Sequence, residues 1–115
     1  MVVGIGVDLV DITRFEEHVA KTPKLLERIF LPVELDAPMK TIAGRFAAKE
    51  ALIKALGGSD GVAWHEVEIT KNLSGKPEIK TSGKTADTLA SAGISSLHLS
   101  ISHDAGMAVA MVVAE

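Results

Sequence analysis

Cysteine is absent from this chain of 115 residues, and so is tyrosine. Without thiols there is no disulfide framework, no thiolate metal site and no cysteine nucleophile, so any chemistry rests on oxygen and nitrogen groups. Aromatic residues make up only 3 % of the chain, too few for a base-stacking platform. A formal charge of -3 provides no general basic surface for nucleic acid, and any anionic partner must be met by a local basic patch. No stretch approaches the ~18 uninterrupted apolar residues of a membrane span. The opening run has neither a basic n-region nor a small-residue cleavage site, so a cytoplasmic protein without membrane segments is expected. Apolar side chains are plentiful: 47 % of the residues are hydrophobic, enough for a core without staples. At this length they imply a single domain over residues 1–115.

From Val2 the sequence reads VVGIGVDL, which puts Val3, Ile5, Val7 and Leu9 on one face of a strand and Gly4, Gly6 and Asp8 on the other. Two glycines inside a strand mark close approach of another backbone or of a ligand. Asp8 and Asp11 are also spaced as a helix N-cap and its third helical residue, so either carboxylate can serve as a cap. Helices are expected over residues 14–20 and 24–30, the second restarted by Thr22-Pro23 and closed by Leu31-Pro32. Residues 33–41 read as a loop with one helical turn. The strongest helical signal covers residues 42–56, rich in Ala, Leu, Lys and Glu and ended by Gly57-Gly58. Beyond it come strands over 64–71 and 77–81, a helix over 84–92, and strands over 97–103 and 107–113. In the last strand Ala108, Ala110 and Ala114 make a face on which a helix can pack closely. The sum is an α+β domain, an antiparallel sheet packed by one long helix and short helices.

Three places can bear chemistry. On the long helix, at ~100° per residue, Glu50 and Lys54 lie about 40° apart beside an apolar stripe. Such a pair is commonly a surface ion pair worth about 0.3–0.5 kcal/mol, but here the surroundings are Ala-rich and Gly57 shares the face, which leaves room for a ligand. Ser102-His103-Asp104 ends a strand on which His103 shares the face of Leu97, Leu99 and Ile101. Adjacent residues point to opposite sides of a strand, so these three cannot be a catalytic triad. The run from Gly57 to Gly61 lacks the phosphate-loop pattern and reads as a helix C-cap and turn. Asp8, Glu50, Lys54 and His103 remain. Two carboxylates with no thiols favour a hard cation, Mg²⁺ before Zn²⁺, and Mg²⁺ commonly completes its shell with substrate phosphates. The residues thus point to a phosphate-handling metal enzyme, with another enzyme of nucleotide diphosphates and a non-catalytic interaction module as alternatives.

At these same residues the sequence resembles the holo-acyl-carrier-protein synthase family of 4′-phosphopantetheinyl transferases. The resemblance is carried by GIGVDLVDITRF (residues 4–15), GRFAAKEALIKA (44–55), a GKP turn (75–77) and LSISHD (99–104), in the family's order and over nearly the whole chain. It implies transfer of the phosphopantetheine arm of coenzyme A to a serine of an apo acyl carrier protein, releasing adenosine 3′,5′-bisphosphate, within fatty acid biosynthesis. It also implies a small α+β fold of the phosphopantetheinyl transferase type, usually a homotrimer with active sites between subunits. Matched position by position, Asp8 and Glu50 correspond to Mg²⁺ ligands and Lys54 to a catalytic lysine near the pyrophosphate. Arg45 and His103 correspond to groups contacting the coenzyme, with Gly57 and Pro77 on its adenosine side. For the base that takes the serine proton, Glu50, directly or through a metal-bound water, is the first candidate and His103 the second. The short, proline-rich stretch 31–41 and the lack of tyrosine depart from the family pattern, so contacts drawn from that loop do not carry over. Carrier proteins of this class are acidic, as is this chain, so docking needs a local patch. On one continuous helix Arg14, Lys21, Lys24 and Arg28 would fall within about 80° of each other, although Thr22-Pro23 interrupts it.

Overall fold

Small residues set how the layers of this molecule meet. A computed structural model describes residues 1–115 as β1 (Gly4–Asp11), α1 (Ile12–Lys21), α2 (Leu25–Ile29), α3 (Met39–Leu56), β2 (Val67–Lys71), β3 (Pro77–Thr81), α4 (Gly83–Ser91), β4 (Leu97–Asp104) and β5 (Met107–Ala114). The antiparallel strands form two sheets rather than one, a three-stranded sheet of order β1-β5-β4 and a separate β2-β3 hairpin. α3 lies on the larger sheet. Ala47 and Ala51 of the helix and Ala108, Ala110 and Ala114 of β5 are fully buried, and these short side chains let the two backbones close on each other. Gly4 and Gly6 take the approach further, because a Cβ at either would run into the carbonyl oxygen of Ala55 or Ala51. The glycines of β1 therefore mark a backbone neighbour.

Since the bare face of β1 packs on α3, its apolar face turns outward, and Ile5, Val7 and Leu9 are exposed. The register sets them beside Val113, Met111 and Val109 of β5, which in turn lie beside His98, Ser100 and Ser102 of β4. The outer face of the sheet is thus apolar across two strands and polar on the third.

Element ends depart from the sequence expectation for local reasons. α1 starts at Ile12 because Asp11, not Asp8, is its cap: the Asp11 carboxylate accepts the Arg14 N–H at 3.0 Å. α3 starts three residues early, behind an extended Pro38, and Pro32–Leu35 forms a 3-10 turn within the expected loop. Trp64–Glu66 is another 3-10 turn, so β2 begins only at Val67. One continuous cluster of 20 buried hydrophobic residues draws on both sheets and all four helices.

Candidate active site

Asp8 lies near the end of β1 and Glu50 in the middle of α3, and the close β1–α3 contact brings both carboxylates to one cleft of about 370 Å³. Arg14, Phe15 and Phe46 line the same cleft. Phe46 sits between Phe15 and Trp64, with ring centroids 5.4 and 6.2 Å away, and makes a rigid apolar wall beside Glu50. Lys54 does not pair with Glu50, as helical spacing alone would have it. Its Nζ donates to the Asp8 carboxylate at 3.1 Å and to the Val7 carbonyl at 3.0 Å. Burial raises the Glu50 carboxyl above its ordinary range, the Asp8 charge adds to the rise, and Lys54 opposes it. A carboxylate whose charge is disfavoured by burial and by a second carboxylate beside it suits a hard cation. No third acidic or histidine ligand joins them, so most coordination positions would stay open to water and phosphate oxygen, as Mg²⁺ prefers.

Arg45, Pro77 and His103, expected to contact the coenzyme, meet in a second cleft of about 200 Å³, together with Lys71 and Thr41. Arg45 Nη1 donates to the Glu34 carbonyl. His103 Nε2 lies 2.9 Å from the Lys40 carbonyl, which can only accept, so Nε2 carries the proton and only Nδ1 is available as a base. Gly44 makes room for this ring, since a Cβ there would lie 2.9 Å from Nε2. Gly57 belongs to neither cleft and serves as the left-handed C-cap of α3, at φ 82°.

Arg45 and Glu50 are five residues apart, about 140° around α3, and their clefts open on different sides of it. His103 therefore lines a different cleft from the carboxylates of its own chain. Arg14, Lys21, Lys24 and Arg28 are all exposed, but α1 ends at its C-cap Thr22 and α2 begins only at Leu25, so the single helical arc is not formed and only Arg14 of the four lines the carboxylate cleft.

One pair escapes the sequence reading. Lys49 and Glu34, both 1 % exposed, form a buried ion pair at 2.8 Å. Burial pulls the Lys49 ammonium below the usual lysine range, against the pull of Glu34. The available signal was the place of Lys49 inside the alanine stripe of α3, between Ala48 and Ala51.

The model of the 4′-phosphopantetheinyl transferase superfamily matches residues 4–111. The chain is similar to the holo-acyl-carrier-protein synthase of Clavibacter michiganensis subsp. michiganensis, at 48 % identity over 100 % of this chain and 97 % of the relative. Among solved structures it is similar to the synthase of Neisseria meningitidis, with a TM-score of 0.92, 35 % identity and coverage of 100 % of this chain and 99 % of that one. The Helicobacter pylori synthase in complex with coenzyme A gives a TM-score of 0.85 at 38 % identity, over 96 % of this chain and 99 % of that one. With both carboxylates, the lysine and the Arg45–His103 cleft falling inside the matched region, the chain belongs to the 4′-phosphopantetheinyl transferase superfamily.

Proposed function

We propose that this chain, as one domain over residues 1–115, transfers the phosphopantetheine arm of coenzyme A to a serine of an apo acyl carrier protein with the help of Mg²⁺. The observation that carries the reading is that Asp8 and Glu50 share one cleft while the Lys54 ammonium bonds to the Asp8 carboxylate. The serine oxygen forms a bond to the phosphorus that carries pantetheine, and the bond from that phosphorus to the bridging oxygen breaks, releasing adenosine 3′,5′-bisphosphate. Asp8 and Glu50 would hold Mg²⁺, which supplies positive charge to the pyrophosphate. Lys54 is half exposed and can turn its point charge from Asp8 to the bridging oxygen, where negative charge grows. Glu50, in the same cleft, is the first candidate to receive the serine proton and His103 the second. Arg45, His103 and Pro77 bind the nucleotide end, and Gly57 caps the helix that carries the chemistry.

Since the two clefts of one chain face different ways, the complete site needs a second copy. A homotrimer supplies it, and the exposed Ile5, Val7, Leu9 and Met111 are the apolar surface it would cover. Arg14, beside the cleft, with Lys21, Lys24 and Arg28, forms the docking surface for the acidic carrier protein. A cytoplasmic location and a role in fatty acid biosynthesis complete the reading; no helix is long and apolar enough to cross a membrane. Intact-mass spectrometry of an apo carrier protein incubated with coenzyme A, Mg²⁺ and this protein should show the added mass of the arm. An unchanged mass contradicts the reading.

A further inference from the structure

The buried Lys49–Glu34 pair takes no part in the chemistry of either cleft, yet it stands between them. Lys49 Nζ donates to Glu34 Oε1 at 2.8 Å, the Ile29 carbonyl at 2.8 Å and the Trp64 carbonyl at 3.1 Å, so each ammonium proton has an acceptor. Glu34 Oε1 also accepts the Leu31 N–H, and Oε2 the Ile69 N–H, each at 2.9 Å. A pair this deep is a poor source of stability, because desolvating two charges offsets their attraction and apolar replacements of similar volume are often neutral or better. It is a good source of geometry. Its directional bonds tie the end of α2, the Pro32–Leu35 turn, α3 and β2 to one point.

Both clefts feel that point. Ile29 walls the carboxylate cleft, and Ile69 lines the second one. More directly, the backbone carbonyl of Glu34 accepts from Arg45 Nη1, so the side chain of Glu34 fixes the carbonyl that fixes the guanidinium. Solvent does not reach the pair.

We propose that Glu34 and Lys49 are positioning residues for coenzyme binding, their buried pair holding the Glu34 carbonyl where it aims Arg45 into the second cleft. The inference rests on the phosphopantetheinyl-transfer reading and adds to it a residue pair 15 positions apart that touches no substrate.

The test is the double variant Glu34→Gln/Lys49→Met, which removes both charges at similar volume. The variant should fold, with KM for coenzyme A raised about tenfold, turnover changed less than about threefold and KM for the carrier protein unchanged. A pair that only stabilises the fold would lower the active fraction, and so turnover, without moving KM for coenzyme A. That result overturns the proposal, as does a folded variant with wild-type constants. Should the double variant not fold, the coenzyme-free wild type decides through ¹⁵N relaxation of the Arg45 Nε–H group. An order parameter near the ~0.85 of rigid backbone supports the proposal, and a freely reorienting guanidinium overturns it. Wild-type transfer is measured alongside: its absence would sink the functional reading itself, whereas wild-type transfer with unmoved constants in the variant sinks only the positioning role.

Discussion

Glu50 is where stability and activity pull apart. Burial, then the Asp8 charge, raise its carboxyl, and Lys54 only partly offsets them. A carboxyl raised by folding stabilises the fold in its protonated form; that contribution is complete below the unfolded value of about 4.3 and is lost as pH rises through the raised value. At neutral pH ionised Glu50 therefore weakens the fold. In metal-free buffer Glu50→Gln should melt above the wild type at pH 7, the gap closing below about pH 4, while transfer falls by about 100-fold or more. Thermal scans at the two pH values check the first part, and an unchanged or lower melting point at pH 7 speaks against it. Lys54 should show the opposite balance. Its pair with Asp8 is half exposed, so Lys54→Ala should cost no more than about 0.5 kcal/mol in urea denaturation. Turnover should drop by one to three factors of ten, and Lys54→Arg should not restore it, since a planar guanidinium does not replace a compact ammonium. The identities of these residues were legible in the sequence, but the partner of Lys54 was not: helical spacing offered Glu50, and only the contact of β1 with α3 supplies Asp8.

At the scale of elements, alternation shows which residues of β1 share a face but not which face turns inward. An apolar face ordinarily goes to the core. Here the alanine stripe of α3 demands a neighbour without side chains, so Gly4 and Gly6 go in and Ile5, Val7 and Leu9 go out. Gly6→Ala should cost about 1–3 kcal/mol, because its Cβ meets helix backbone that cannot turn away, and it should also reduce turnover by shifting Asp8 two residues on. Urea midpoints and steady-state rates measure both effects; a variant of wild-type stability would mean that the β1–α3 contact is looser than described. The helix starts were harder to read. α3 begins behind Pro38 with no side-chain cap to announce it, and the Glu34–Lys49 tie crosses a loop, where no periodicity reaches.

For the molecule as a whole, net charge and composition excluded more than they assigned; sites between subunits were an expectation of the resemblance alone, and the placement of the clefts is what the fold adds to it. The carboxylate cleft and the Arg45–His103 cleft lie on different sides of α3, and an apolar sheet face is left bare. The proposed closed ring of identical contacts would account for both, by presenting one face of each copy to a different face of the next. Val7→Asp, placing a charge opposite Met111 in the middle of that face, should give a monomer by light scattering and abolish transfer. The most direct test of the account is complementation between two inactive chains, one carrying Glu50→Gln and the other Arg45→Ala with His103→Ala. Assembled together at equal amounts, they should recover about a quarter of wild-type transfer, because random assortment pairs an intact carboxylate cleft with an intact nucleotide cleft at that frequency. Mixed assemblies that form but stay inactive, or a fully active wild-type monomer of 12.1 kDa, would contradict a site shared between copies.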